Sequence, residues 1–422
     1  MKNVLTIIFI FILGFGTVSS INQTEKNDSN NLNSKKISYS FILQDTPSSL
    51  FSMRQFNQNY LSGYRFLNLQ LNKNSSIKIS RLIQDGMELI LMPLTHEEGH
   101  RSILTSLGIG SISQPYFNLQ GAAYVKGVKD IDLINLRNND LPEYIRLHTA
   151  GLESDYMLNN RIEETVLFDL DSKKILITDF IFRKFGIISY FTLSLIPSLN
   201  PKLKEETNEL DRDIVGHDVY GAIKNLYRPD IPFYRYTNYD DLSIVERSFV
   251  KRVGYRALLN LASPLFFKSL NIIKKNKLKV SLGMGYTMCP FGDFIDENIF
   301  VIYNQKYNLH AYLRQYENRN TWFMGGGLSL VDYQISPKFK TTIAGHLWNQ
   351  PQNLDFNTSN SQFGGSGDLL LKYIFLENQS NNSMSIDLGL NYKTFGFLPE
   401  EVIMKEHFGV RIGVTVNVIQ KK

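Results

Sequence analysis

A single cysteine, Cys289, stands in 422 residues, so no intrachain disulfide can form and no cysteine near the amino terminus offers a lipid anchor. Charge of one sign is also scarce. The formal net charge of +5 is dispersed and forms no basic stripe, which argues against nucleic acid as a partner. Clean apolar runs of about 20 residues, the length a membrane-crossing helix needs, are missing as well. Val4 to Phe15 is too short, and Ile175 to Ile196 holds Asp179, Arg183 and Lys184, charges that are costly at mid-span. The uninterrupted part, Phe185 to Ile196, suits a buried or interfacial helix. Hydrophobic content of 43% with 20% charged residues describes an ordered protein with room for two domains.

The amino-terminal 20 residues read as an export signal. Lys2 supplies the positive start, Val4 to Phe15 the apolar run, and Val18-Ser19-Ser20 a small-residue cleavage region. Residues 21–36 are rich in Asn, Ser and Lys and suit a disordered tether. An exported chain without disulfides must rely on its core, a metal or a membrane.

The chemistry concentrates in His96-Glu97-Glu98-Gly99-His100. A helix over Thr95 to Leu107 places the two imidazoles one turn apart on a single face, because positions i and i+4 are neighbours. Ile103, Leu104 and Leu107 continue that face, so it is expected to be buried. Gly99 costs such a helix about 1 kcal/mol relative to alanine, and Pro93 fits best in its first turn. Gly108-Ile109-Gly110 marks its end. Two imidazoles bind zinc with a third protein ligand and an open position for water, and a glutamate beside them can serve as general base.

His96 to His100 resembles the H-E-x-x-H helix of zinc metallopeptidases. The resemblance implies His96 and His100 as zinc ligands, Glu97 as catalytic base, and a peptide or protein as substrate. It covers this helix and, loosely, one downstream segment. There Asp140 and Glu143 make a helix start of the capping-box kind, and the helix runs to about Ile162. It carries Glu153, which resembles the glutamate that completes zinc sites in the two-His, one-Glu peptidases. His148 and Asp155 share another face of that helix, seven residues apart, and His148 is a second candidate ligand. Gly151 allows close helix packing. A third candidate follows at Gly216-His217-Asp218: Asp218 is either a helix cap or a ligand of the kind seen in site-2-type membrane proteases. His217 is a candidate donor to a developing oxyanion.

Around these residues, Ile37 to Leu43 and Tyr64 to Leu71 read as strands, Ile112 to Val128 as extended chain or a hairpin, Arg228 to Asp241 as an irregular loop, and Leu242 to Leu270 as helix. Near Asn276 the period changes to two. Leu278, Val280, Leu282, Met284 and Tyr286 alternate with small or polar residues. The same pattern recurs at Ile386 to Tyr392 and most clearly at Phe408 to Val418. With candidates at Ile299 to Tyr303, Tyr307 to Tyr316, Thr321 to Tyr333, Phe339 to Trp348 and Leu369 to Phe375, about eight strands are expected. Many approach the roughly 9 to 11 residues of a tilted membrane strand, and Tyr286, Trp322, Trp348, Tyr373 and Tyr392 suit interfacial girdles. Residues 276–422 resemble a small outer-membrane β-barrel. A soluble barrel alternates identically but turns its apolar face inward.

The expected fold is therefore α+β: a mostly helical, zincin-like domain over residues 37–275, then an antiparallel β-barrel over 276–422. The expected function is zinc-dependent peptide hydrolysis in the cell envelope, in or at the outer membrane, with Glu97 and His217 catalytic and His96, His100 and Glu153 holding Zn2+. The competing reading is a non-enzymatic outer-membrane barrel, acting as pore, anchor or assembly partner, with the helical half as plug or docking module.

Overall fold

The computed structural model describes residues 35–74, 77–114, 123–200, 202–267, 273–275, 277–378 and 382–420. The export signal and nearly all of the tether lie outside these residues. After strand β1 (Lys35–Asp45) come helices α1 (Met53–Asn74) and α2 (Ile77–Ser106), then a small pair of strands, β2 (Ile112–Gln114) and β3 (Tyr124–Lys126). Helices α3 (Asp130–Asn139), α4 (Leu141–Leu167), α5 (Lys173–Leu193), α6 (Asp218–Tyr227) and α7 (Ile244–Arg256) complete the helical part. The short strand β4 (Ile273–Lys275) precedes a meander: β5 (Leu278–Cys289), β6 (Gly292–Tyr303), β7 (Tyr307–Glu317), β8 (Trp322–Ser336), β9 (Phe339–Pro351), β10 (Ser361–Glu377), β11 (Ser383–Lys393) and β12 (His407–Gln420).

The fold is α+β, but the sheet is not a barrel of eight strands. Ten antiparallel strands run in the order β1-β12-β11-β10-β9-β8-β7-β6-β5-β4, and the two ends do not pair. β1, from the amino-terminal part of the chain, joins β12 from Lys35 opposite Gln420 onward. Closure is prevented because helices stand between the edges. One buried cluster draws Ile37 and Tyr39 of β1, Leu61 of α1, Phe180 of α5, and Leu265 and Phe300 near the other edge.

Two local expectations are also corrected. Residues 64–71 are helical, because their apolar positions serve α1: Leu61, Tyr64 and Leu69 are buried and Phe66 and Leu67 are not. Pro93 lies inside the 30-residue α2. In the same turn Thr95 Oγ1 donates to Leu91 O (3.3 Å) and Met92 O (3.0 Å), and Arg183 Nη2 also reaches Leu91 O (3.4 Å).

The alternation along the strands points its apolar side outward. Leu282, Ile299, Leu313, Ile343, Leu388 and Ile412 are exposed, whereas Asp296, Arg314, Asn391 and Thr415 face inward and are buried. Inside the curve lies a polar cavity of about 400 Å³ lined by residues such as Asp296, His310, Arg314, His346, Lys372 and Arg411. α4 runs through this interior with 22 of its 27 residues buried. Its charges are matched locally: Arg146 donates to both oxygens of Glu153 (3.1 and 2.9 Å), and Arg161 pairs with Glu400 (2.5 Å).

The loop between β11 and β12 ties strands to helices. Glu401 lies between Arg54 of α1 (2.7 Å), itself paired with Asp45 (2.9 Å), and His407 (3.4 Å). Burial alone would raise the Glu401 carboxyl, but Arg54 and then His407 outweigh it and hold it well below the usual range. The unfolded chain thus binds the proton more readily, so the stabilisation is present above the ordinary carboxylate pKa and is lost as pH falls below it. Urea unfolding of Glu401→Gln is expected to show about 2 kcal/mol lower stability at pH 7 and a flatter acid limb than the parent chain. Parallel pH profiles of the two proteins would refute this.

Candidate metal centre

α2 crosses α4 closely because glycine faces side chain at two levels. A Cβ on Gly99 would lie 2.5 Å from Ala150 O and 2.8 Å from Ser154 Cβ. A Cβ on Gly151 would lie 2.5 Å from His100 Nε2 and nearer still to His96 Nε2. Backbone thus approaches the two imidazoles where any other residue would place a side chain.

Each ring is oriented through its Nδ1. His96 Nδ1 pairs with Asp155 Oδ2 at 2.8 Å, and Asp155 Oδ1 accepts from Arg183 Nη1 at 3.0 Å. His100 Nδ1 donates to Leu147 O at 2.6 Å. Such partners fix tautomer and orientation and leave Nε2 as the ligand atom, as in metal-binding histidines generally. Both Nε2 atoms turn toward Asp218 Oδ2, at 3.1 Å from His96 and 3.4 Å from His100. The ligand atoms of His96, His100 and Asp218 all lie within 4.8 Å of one another, so this buried group could hold a metal ion. Burial would raise the Asp218 carboxyl, but His100 and His96 hold it well below its ordinary range.

Glu153 is not brought to the histidines. It lies on another face of α4, where Arg146 neutralises it and the Glu400 N–H donates to its Oε1 (2.8 Å). Asp218, at the start of α6, supplies the third ligand atom, from a carboxylate. His148 is fully buried, with its ring edge-on to Tyr144 at 5.1 Å and neither nitrogen hydrogen-bonded; burial pushes its pKa down to about 3. It is outside the convergent set. Of the sequence-derived candidates, His96, His100 and Asp218 meet, and Glu153 and His148 do not join them.

Glu97 follows His96 on α2 and is 7% exposed. Burial pushes its carboxyl up to about 7 against the pull of the His96 and His100 imidazoles. His217 stacks on Tyr220 (centroids 3.7 Å apart, 15° between planes) with Nδ1 buried and unpartnered, and burial lowers its pKa to about 4.

The residue that sequence reasoning missed is Tyr190. Its ring contacts both His96 (5.8 Å) and His217 (5.4 Å), and its hydroxyl accepts from the Asp218 N–H at 3.2 Å. It sits in an apolar helix with no motif to mark it. Asp155 was legible only as a neighbour of His148, not as the partner of His96.

In comparisons with protein-family models, curated proteins and solved structures, nothing matches this chain.

Proposed function

We propose that the protein is a zinc-dependent, peptidase-like hydrolase of the cell envelope, held in a membrane by its sheet. The observation that carries the catalytic part is the convergence of His96 Nε2 and His100 Nε2 of α2 on Asp218 Oδ2 of α6, with the Glu97 carboxyl in the field of all three. Two imidazoles and one carboxylate form a donor set that zinc accepts in tetrahedral geometry with a position left open. Zinc bound there would polarise a scissile carbonyl and acidify water. Glu97 takes the proton of the attacking water and delivers it to the leaving nitrogen, a role that a carboxyl tuned toward neutrality suits. The Tyr190 hydroxyl, which accepts from a backbone N–H and keeps its own proton, takes the oxyanion-stabilising part otherwise assigned to His217. β2 packs against α2 and pairs only with β3 among the described residues. Its other edge supports an extended peptide as substrate.

The membrane part rests on the outward apolar side of the sheet and the polar cavity behind it, the reverse of a soluble barrel. The meander strands have 11 to 17 residues, enough to cross hydrocarbon when tilted.

The test is turnover of a quenched peptide library by protein of known zinc content. Glu97→Gln is expected to lower kcat by roughly 10² to 10⁴ with zinc retained, and Tyr190→Phe by a smaller factor at little change in KM. Normal turnover by the glutamine variant would end the catalytic proposal.

A further inference from the structure

The sheet is open, yet neither edge is bare. α1 packs along β1, and one face of it carries Gln55, Gln58, Asn59, Ser62 and Arg65 at helical spacing. These side chains take up the outer backbone groups of the strand. Asn59 accepts from Ile42 N (2.7 Å) and donates to Ile42 O (2.9 Å). Ser62 and Gln58 donate to Ser40 O (2.6 and 3.2 Å), Gln55 to Leu43 O (3.0 Å), and Arg65 to Ser38 O (3.0 Å). At the other end, on the part of β5 that the short β4 does not cover, Met284 N donates to Ala262 O (2.9 Å), and Asn260 both donates to Tyr286 O (3.0 Å) and accepts from Tyr286 N (3.2 Å). Water would satisfy such edge groups at no structural cost. Hydrocarbon cannot, and a lipid-facing sheet edge must be sealed by protein.

One side of α2 reverses the polarity expected of a helix in water, and α1 does so in part. On α2, Ser80, Gln84 and Glu88 are buried at four-residue spacing, while Leu82 (74% exposed), Ile83, Leu89 and Ile90 face out. On α1, Ser62, Arg65 and Asn68 are buried, and Phe66 and Leu67 are exposed. On α5, Asp179, Arg183 and Lys184 are fully buried among apolar neighbours such as Phe180 and Ile187, while Ile177, Ile181, Phe182 and Phe185 are only half-buried. No described helix is long and apolar enough to cross a membrane by itself, but a helix in a wall needs only one apolar side.

We propose that α1, α2 and α5 complete the wall the sheet leaves open. One belt of apolar side chains, part strand and part helix, then meets the hydrocarbon core of a lipid bilayer, with α4 and the polar cavity enclosed. The proposal rests on the membrane reading above and extends it from the sheet to the helices. The His96 to His100 segment continues from the exposed stretch of α2 into its buried carboxyl-terminal half, so the wall itself carries the metal-binding face.

The experiment uses the full chain reconstituted in phosphatidylcholine vesicles, with nitroxide labels on single cysteines introduced at Leu82, Ile90, Ile343 and Leu388, and at Lys405 as the aqueous reference. Cys289 is fully buried and stays unlabelled. Collision with dissolved oxygen is compared with collision with a water-soluble nickel chelate. Oxygen dominating at all four apolar positions and nickel at Lys405 is the expected result. Oxygen dominating at Ile343 and Leu388 but nickel at Leu82 and Ile90 overturns the proposal and leaves the sheet in the membrane. Nickel dominating throughout, or a chain that stays in the aqueous phase, overturns both.

Discussion

With the zinc site proposed above, Asp218→Ala is expected to reduce bound zinc to a small fraction of the parent protein's, whereas Glu153→Gln leaves zinc binding intact and lowers stability instead. The contrast follows from where the two carboxylates stand. Asp218 Oδ2 faces both Nε2 atoms, and removing one of three ligands from a site of this kind sacrifices most of its affinity. Glu153 is clasped by Arg146, both buried to within 1%. Its neutralisation strands a buried guanidinium, at a cost of about 3 to 5 kcal/mol, some of it relieved by Glu143 at 3.8 Å from Arg146. Zinc measured per folded molecule, alongside urea unfolding, separates the two effects. Zinc lost from the glutamine variant but kept by Asp218→Ala would reverse the ligand assignment.

The second large effect is expected at a residue with no side chain. Gly151→Ala puts a methyl group within 2.5 Å of His100 Nε2 and closer to His96 Nε2. It must displace both rings or push α4 away from α2. Overpacking of this kind costs about 1 to 3 kcal/mol, and the rings lose the geometry that zinc needs, so zinc-dependent thermal stabilisation should disappear. Gly86→Ala, at an exposed position of α2 where an added Cβ meets nothing within 4 Å, is the matched control. It should stabilise the protein by up to about 1 kcal/mol through helix propensity. Undiminished zinc binding by Gly151→Ala would mean that the metal, if any, sits elsewhere.

Much of this architecture could be read from periodicity. Every expected strand after residue 276 is found, because an alternation of two over many residues has few other structural solutions. The helix over His96 to His100 was legible for the same reason. What the pattern could not carry was direction and closure. Alternation is identical whether the apolar side faces in or out, and although Ile37 to Leu43 reads as a strand, its place at the far edge of the sheet is invisible to local periodicity. At the site, spacing along one helix brought the two histidines together. The third ligand depended on how α6 docks, with Asp218 lying 118 residues beyond His100 by the numbering. A resemblance favoured Glu153, but Arg146, two turns earlier on the same face, had already claimed it. Tyr190 carried no signal, since a tyrosine in an apolar helix is ordinarily read as packing.

The pairing of β1 with β12 also bears on biogenesis. Ser38 and Asn417, hydrogen-bonded across that pair at 2.6 Å, are 379 residues apart, so the first strand synthesised must wait for nearly the last before its ladder can form. Loop-closure entropy makes so distant an encounter slow. Throughout that delay the nascent chain presents an unpaired strand to its neighbours, a template for aggregation. A ribosomal product that terminates before β12 therefore leaves this strand unsheltered.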